Sequence, residues 1–394
     1  MSGALSWPFM RLYLLTLFYF SANAILNVII PLQGEALGAS HTTIGIIMGA
    51  YLFTTMFFRP WAGAMIQKHG SVRVLRVILI VNGLALMLYA MTGLGGYFFA
   101  RMLQGVSTAF FSMALQLGII DALPEKDRSQ GISMYSLCSY IPGIIGPILA
   151  LTIWQSGELN YFAVVMLLIA LGTGVIGFSV KPDKSTPNPA KTGQGAGGML
   201  RSLGQLATHP SLRKCSILLL SASVVFGAIT TFIPLYAAQV EHGSAGVYLM
   251  TQAAVVVSAR FLLRKHIPSD GRWHASFVMG MMLMLAAGAY CVSYSSTGGA
   301  VIFYLGAILI GIAQALVYPT LTTYLTFVLP QTERNVLMGL FIAMADLGVS
   351  LGGILMGPLT DLTSYTFMYA ACAVLGASMV VVAYERRGVR KAVS

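Results

Sequence analysis

Two ionisable residues stand in stretches that otherwise exclude charge. Asp346 sits in FIAMADLGVSLGG, and residues 335 to 359 carry no other charged side chain. Arg101 opens RMLQG in another apolar run. An ionised group at the centre of a bilayer costs about 2.5–3.5 kcal/mol on insertion scales, which makes such residues functional candidates. Burial favours the neutral acid, and a neighbouring cation favours the carboxylate. Asp346 is thus suited to hold a proton and a cation by turns. The plainer alternative is a protonated acid bonded to a neighbouring helix.

Arg101, Gln104, Thr108, Ser112 and Gln116 recur at helical spacing and share one face. A stripe of this kind is expected to face a water-filled cavity rather than lipid. The alternative for Arg101, about one turn inside the expected edge, is snorkelling to the headgroups. Asn23 and Asn27 lie one turn apart, and further polar residues stand at Tyr135, Ser139, Tyr140, Gln252, Gln314 and Tyr318. Each alone suits helix–helix hydrogen bonding. Together they suggest a polar cavity.

The elements that must hold these residues follow from composition. The chain has 394 residues, 57% hydrophobic and 9% charged, with a mean hydropathy of +0.80. Soluble domains carry about 25% charged residues, so the sequence reads as an all-α integral membrane protein. Apolar runs of spanning length fall near 8–32, 42–65, 74–93, 97–120, 131–153 and 161–180, then near 213–238, 245–263, 274–294, 299–328, 336–359 and 364–384. That predicts twelve transmembrane helices. Asp346 lies about 11 residues from Asn335, or roughly 16 Å along its helix, near the midplane of a core about 30 Å thick.

The net charge of +11 could suggest nucleic acid, but its distribution does not. Lys68, Arg73, Arg76, Lys126, Arg128, the 181–214 stretch, Arg264, Lys265, Arg272, Arg334 and the tail from Arg386 all fall in alternate loops. The intervening loops carry Glu35, Glu158, Glu241 and Asp361 without Lys or Arg. This is the positive-inside pattern, which predicts a cytoplasmic membrane location with both termini cytoplasmic. No cleavable signal stands out, because the first apolar segment is too long and carries Asn23 and Asn27. The 4 Cys are scattered through apolar segments and the 22 Met along the chain; both read as packing, with no metal site.

KPDKSTPNPAKTGQGAGG, residues 181 to 198, has the composition of a flexible linker. It divides an N-terminal six-helix bundle (1–180) from a C-terminal one (213–394), with 181–212 as a cytoplasmic linker. The halves echo each other. IPL recurs at 30–32 and 233–235, Arg59 precedes Gly70 as Arg260 precedes Gly271, LPEKDR answers LPQTER, and Gly105 answers Gly311. Internal repeats of this kind characterise transporters that rock one half against the other.

This organisation resembles the major facilitator superfamily over the whole chain. GAMIQKHGSVRVL resembles the family's loop motif, with Gly63, Lys68, Gly70 and Arg73 fitting and Gln67 standing where the acid usually is. RMLQG resembles the family's Arg-x-x-Gln-Gly motif, and PGIIGP, with Pro142, Gly143, Gly146 and Pro147, the Gly-Pro motif of its proton-driven export branch. A simple packing kink is the alternative for PGIIGP. Gly3 to Leu32 and Ala100 to Gly131, with FRPWAG and SDGRWH, are similar to exporters of opine-type metallophores, the staphylopine class. That resemblance implies a proton-driven exporter of a metal-free chelator bearing carboxylates, secondary amines and an imidazole or similar group. It implies a monomer with no cofactor beyond the proton gradient. Arg101 would then suit a carboxylate and Asp346 an amine. A multidrug/proton antiporter is the alternative. The 6 His fall in loops or helix ends with no catalytic set in any span, so an enzyme is not expected.

Overall fold

The computed structural model describes residues 3, 5–180, 209–331 and 334–384. The basic tail and most of the expected linker lie outside them. Eleven long helices account for nearly all of the described chain: α1 (Trp7–Ala36), α2 (His41–His69), α3 (Ser71–Met91), α4 (Leu94–Ala122), α5 (Glu125–Gln155), α6 (Leu159–Phe178), α7 (Pro210–Tyr236), α8 (Ala245–Leu262), α9 (Ala275–Val328), α10 (Arg334–Leu362) and α11 (Tyr365–Ala383). All eleven are long and apolar enough to cross a membrane. The helix α7 starts three residues before the expected boundary at 213.

The length of α9 has a physical reading. Its 54 residues would run about 80 Å at 1.5 Å per residue, far beyond a hydrocarbon core of about 30 Å. The helix is interrupted at Gly299, where φ is 73° and ψ is −173°, a conformation essentially reserved for glycine. The chain folds back there. A Cβ on Gly306 would meet Val292 and the Gly288 carbonyl, and Thr320 lies 3.8 Å from the Met281 sulfur. Residues 275–298 and 300–328 therefore form two antiparallel limbs packed on each other.

Burial separates inner from outer helices. In α7, 83% of the spanning window is buried, against 28% in α5 and α6. Exposed Val77, Leu84, Leu168, Val175, Val374 and Val381 make an apolar outer surface that water would not tolerate in this amount. Ser40, Ser244 and Ser364 start α2, α8 and α11 by accepting from the N–H of Thr43, Val247 and Phe367, which satisfies an otherwise orphaned donor.

Within the first half α1 packs on α5 and α6, and α4 on α2 and α3; in the second, α10 packs on α7, and α9 on α8 and α11. The halves meet mainly through α2 against α10 and α5 against α8. The repeat seen in sequence is also a repeat of packing. A Cβ on Gly105 of α4 would strike the Tyr51 carbonyl of α2, and one on Gly311 of α9 would strike the Gln252 carbonyl of α8. These glycines let the backbones approach closely.

Candidate functional site

Arg101 is fully buried, so its guanidinium does not snorkel to a surface. Helix α1 turns Asn23 and Asn27 toward it. Nη1 donates to Asn23 Oδ1 at 2.8 Å and to Gln104 Oε1 at 3.2 Å, and Nη2 donates to Asn27 Oδ1 at 2.8 Å. Met48 sulfur lies 3.4 Å from Nη2, and the Tyr51 ring lies 5.2 Å from the guanidinium carbon. Nε is buried and without a partner. Among the described residues, every group that touches this cation is neutral. Hydrogen bonds to a charged group contribute about 1.5–3 kcal/mol each, which holds the side chain in place but leaves its charge uncompensated.

Gln104 and Thr108 are engaged with neighbouring helices. Gln104 accepts from the Tyr89 hydroxyl at 3.1 Å. Thr108 lies 3.0 Å from both the Tyr19 and Tyr51 hydroxyls, and Ser112 donates back to the Thr108 carbonyl at 2.8 Å. Gln116 is exposed. Thr108 thus ties α4 to α1 and α2 instead of lining the cavity described next.

A cavity of about 400 Å³ lies between the halves. Its polar wall is Asn23 and Asn27 of α1, Ser139 and Tyr140 of α5, Thr230 of α7, Gln252 of α8 and Gln314 of α9; Phe20, Leu52, Leu249 and Val256 supply apolar surface. Pro142, Gly143 and Pro147 bring α5 to the same wall, while Gly146 packs on Ala24 of α1. Gln252 donates to Gln314 Oε1 at 2.9 Å. Tyr318 is not in the wall; its ring stacks on Phe341, with centroids 6.1 Å apart. Arg101 lies directly behind Asn23 and Asn27.

Asp346 is paired. Arg59 of α2 donates from Nε to Oδ2 at 2.5 Å and from Nη2 to Oδ1 at 3.3 Å. Sequence reasoning noticed both residues but did not join them, because they lie on opposite halves. The related arginine, Arg260 of α8, sits 4.3 Å from the centroid of the Tyr140 ring of α5.

A second cross-half contact went unnoticed in the sequence. Asp361, near the end of α10, accepts from the N–H of His41 and of Thr42 at 2.9 Å each, from the Thr42 hydroxyl at 2.6 Å, and contacts His41 Nδ1 at 2.6 Å. A carboxylate from one half thus caps the first turn of a helix in the other, where the helix dipole favours negative charge. Between Asp361 and Asp346, α2 and α10 touch through small residues. Ser350 donates to the Gly49 carbonyl at 2.8 Å, and a Cβ on Gly45 would collide with the Gly353 carbonyl. Gly63 has open space around it, and Gly70 ends α2 with φ 83°. Arg73 lies on exposed α3 surface, and the Gln67 side chain falls outside the described ones.

A polar cavity between two repeated helical halves, with an uncompensated arginine bonded to two residues of its wall, is an arrangement able to bind a charged solute. Known proteins share this architecture. The chain is 51% identical over 388 residues to the staphylopine export protein of Staphylococcus aureus (strain Mu50), covering 98% of both chains. It is 24% identical to an uncharacterised MFS-type transporter of Salmonella typhimurium, over 93% of this chain and 96% of that one. Among solved structures, a nucleoside transporter superposes with a TM-score of 0.76 at 13% identity, covering 95% of this chain and 98% of that chain. The human organic anion transporter TETRAN superposes with a TM-score of 0.70 at 15% identity, with the same coverage. Residues 12–269 and 269–393 match the Major Facilitator Superfamily, and the chain belongs to that family.

Proposed function

We propose that this chain exports a metal-free opine-type metallophore, staphylopine or a near relative, by alternating access with proton antiport. The observation that carries the proposal is the 51% identity, over 98% of both chains, to a protein named for staphylopine export. The site chemistry supports it. The uncompensated Arg101 suits a carboxylate, and the Asn, Gln and Tyr wall suits a solute bearing several hydrogen-bonding groups. On this reading the two limbs of α9 are separate crossings, which makes twelve. Both termini face the cytoplasm of a cell whose cytoplasmic membrane holds the protein as a monomer. The driving force is the proton gradient, with no cofactor and no resident metal.

Asp346 gives the proton a place to act. While ionised it holds Arg59, and with it α2 against α10. A proton on Asp346 removes the charge that Arg59 is held by and loosens that contact. Proton binding and the separation of the halves are thereby linked.

The test compares chelator in cells and medium for wild type, a deletion strain and Asp346→Asn. Chelator trapped inside the deletion strain supports export. Normal secretion by that strain, with raised drug sensitivity, replaces the proposal with multidrug efflux.

A further inference from the structure

The two halves make one contact twice, and only one copy carries an acid. The spacing that carries Arg59 onto Arg260 also carries Gly70 onto Gly271 and Tyr51 onto Gln252. The spacing that carries Gly105 onto Gly311 and Leu123 onto Leu329 also carries Tyr140 onto Asp346. Packing follows the same rule, since Gly105 rests on the Tyr51 carbonyl and Gly311 on that of Gln252. Arg59 against Asp346, between α2 and α10, is therefore the counterpart of Arg260 against Tyr140, between α8 and α5.

The two copies differ in charge. Arg59 has a carboxylate across the interface. Arg260 has the face of a phenol ring, which attracts a cation without neutralising it. Among the described residues Arg260 makes no hydrogen bond or ion pair, and its Nε is buried without a partner. Its location matters too. Tyr140 lines the cavity, as does Val256, one turn from Arg260 along α8. Gln252, a turn further on, has an Oε1 that is buried and unpartnered.

We infer that Arg260, seated on Tyr140, is a second anion-binding subsite of the cavity, distinct from Arg101. A carboxylate of the transported molecule supplies the acid that Tyr140 lacks, and Gln252 Oε1 accepts an adjacent N–H. The occupied subsite ties α5 to α8 as Asp346 ties α10 to α2, so loading completes the second copy of the contact. The ligand class is an amino-carboxylate, which rests on the reading of the cargo given above.

The test is equilibrium binding to the purified full-length protein with two probes: metal-free staphylopine, and a simple opine with two carboxylates flanking a secondary amine. Wild type is expected to bind both. Arg260→Gln is expected to weaken both at least tenfold. Tyr140→Asp installs the missing acid. It is expected to raise the melting temperature of the unliganded protein while weakening both probes at least tenfold, a pair of opposite effects that general misfolding does not produce. If wild type binds staphylopine and both Arg260→Gln and Tyr140→Asp bind it equally well, the subsite is overturned and the cargo reading stands. If only the simple opine binds, and needs Arg260, the subsite is supported and the cargo reading is overturned. If neither probe binds wild type, both are overturned.

Discussion

Arg59 and Asp346 lie 287 residues apart in sequence and on opposite halves of the molecule, yet both Asp346 oxygens accept from the Arg59 guanidinium. Asp346→Asn keeps the shape and removes the charge. Removing one member of a buried pair typically costs 3–5 kcal/mol, and with Arg59 one quarter exposed the expected loss here is about 1–3 kcal/mol. In proteoliposomes, Asp346→Asn should abolish the acceleration of transport by an imposed pH gradient while substrate exchange at equal pH continues. Undiminished acceleration would remove Asp346 from proton coupling.

The neutral shell of Arg101 makes a second expectation. Asn23→Asp places a carboxylate where an amide oxygen now accepts from Nη1 at 2.8 Å. It should neutralise the cation and weaken binding of an anionic cargo about tenfold or more, an effect of about 1.4 kcal/mol. Arg101→Lys should do likewise, since one ammonium cannot span Asn23 and Asn27 as the guanidinium fork does. Calorimetric titration of the purified protein checks both.

Closure at the Asp361 end depends on backbone proximity. A leucine at Gly45 has no room beside the Gly353 carbonyl, so Gly45→Leu should hold α2 and α10 apart there. Asp361→Asn, which cannot accept equally at both atoms, should shift the same equilibrium more mildly. Spin labels at the ends of α2 and α10 should report a longer separation in both variants, larger in Gly45→Leu.

Gly299 fixes the fold-back of α9. Its φ of 73° with an extended ψ costs other residues on the order of 1–3 kcal/mol. Gly299→Val should lower the melting temperature in detergent without changing the affinity of the protein that remains folded.

Much of this architecture is legible in the sequence because length and apolarity decide spans locally. The expected run at 245–263 and α8 nearly coincide, and the repeated IPL places Pro31 and Pro234 inside corresponding helices. Pairings are a different matter. Asp346 is visible as a charge in apolar surroundings and Arg59 as the repeat partner of Arg260, but their contact depends on how α2 meets α10. Thr108 looked like cavity lining because helical spacing says which residues share a face, not what faces them. The Tyr19 and Tyr51 hydroxyls, from two other helices, fill that space. Asp361 carried no sign in its own neighbourhood that it would cap a helix whose first residue lies 320 positions away.

The seam between α2 and α10 has clusters of polar bonds at its two extremities and, between them, close backbone contact with the Ser350–Gly49 bond. Such a seam need not part all at once. Separation that starts at Asp361 removes its bonds first, then the Gly45 and Gly49 contacts, and reaches Arg59 last. Each step gives up only a small fraction of the total attraction. The rate of opening is then governed by the most difficult single step rather than by their sum, which lets a long and closely fitted joint still move quickly.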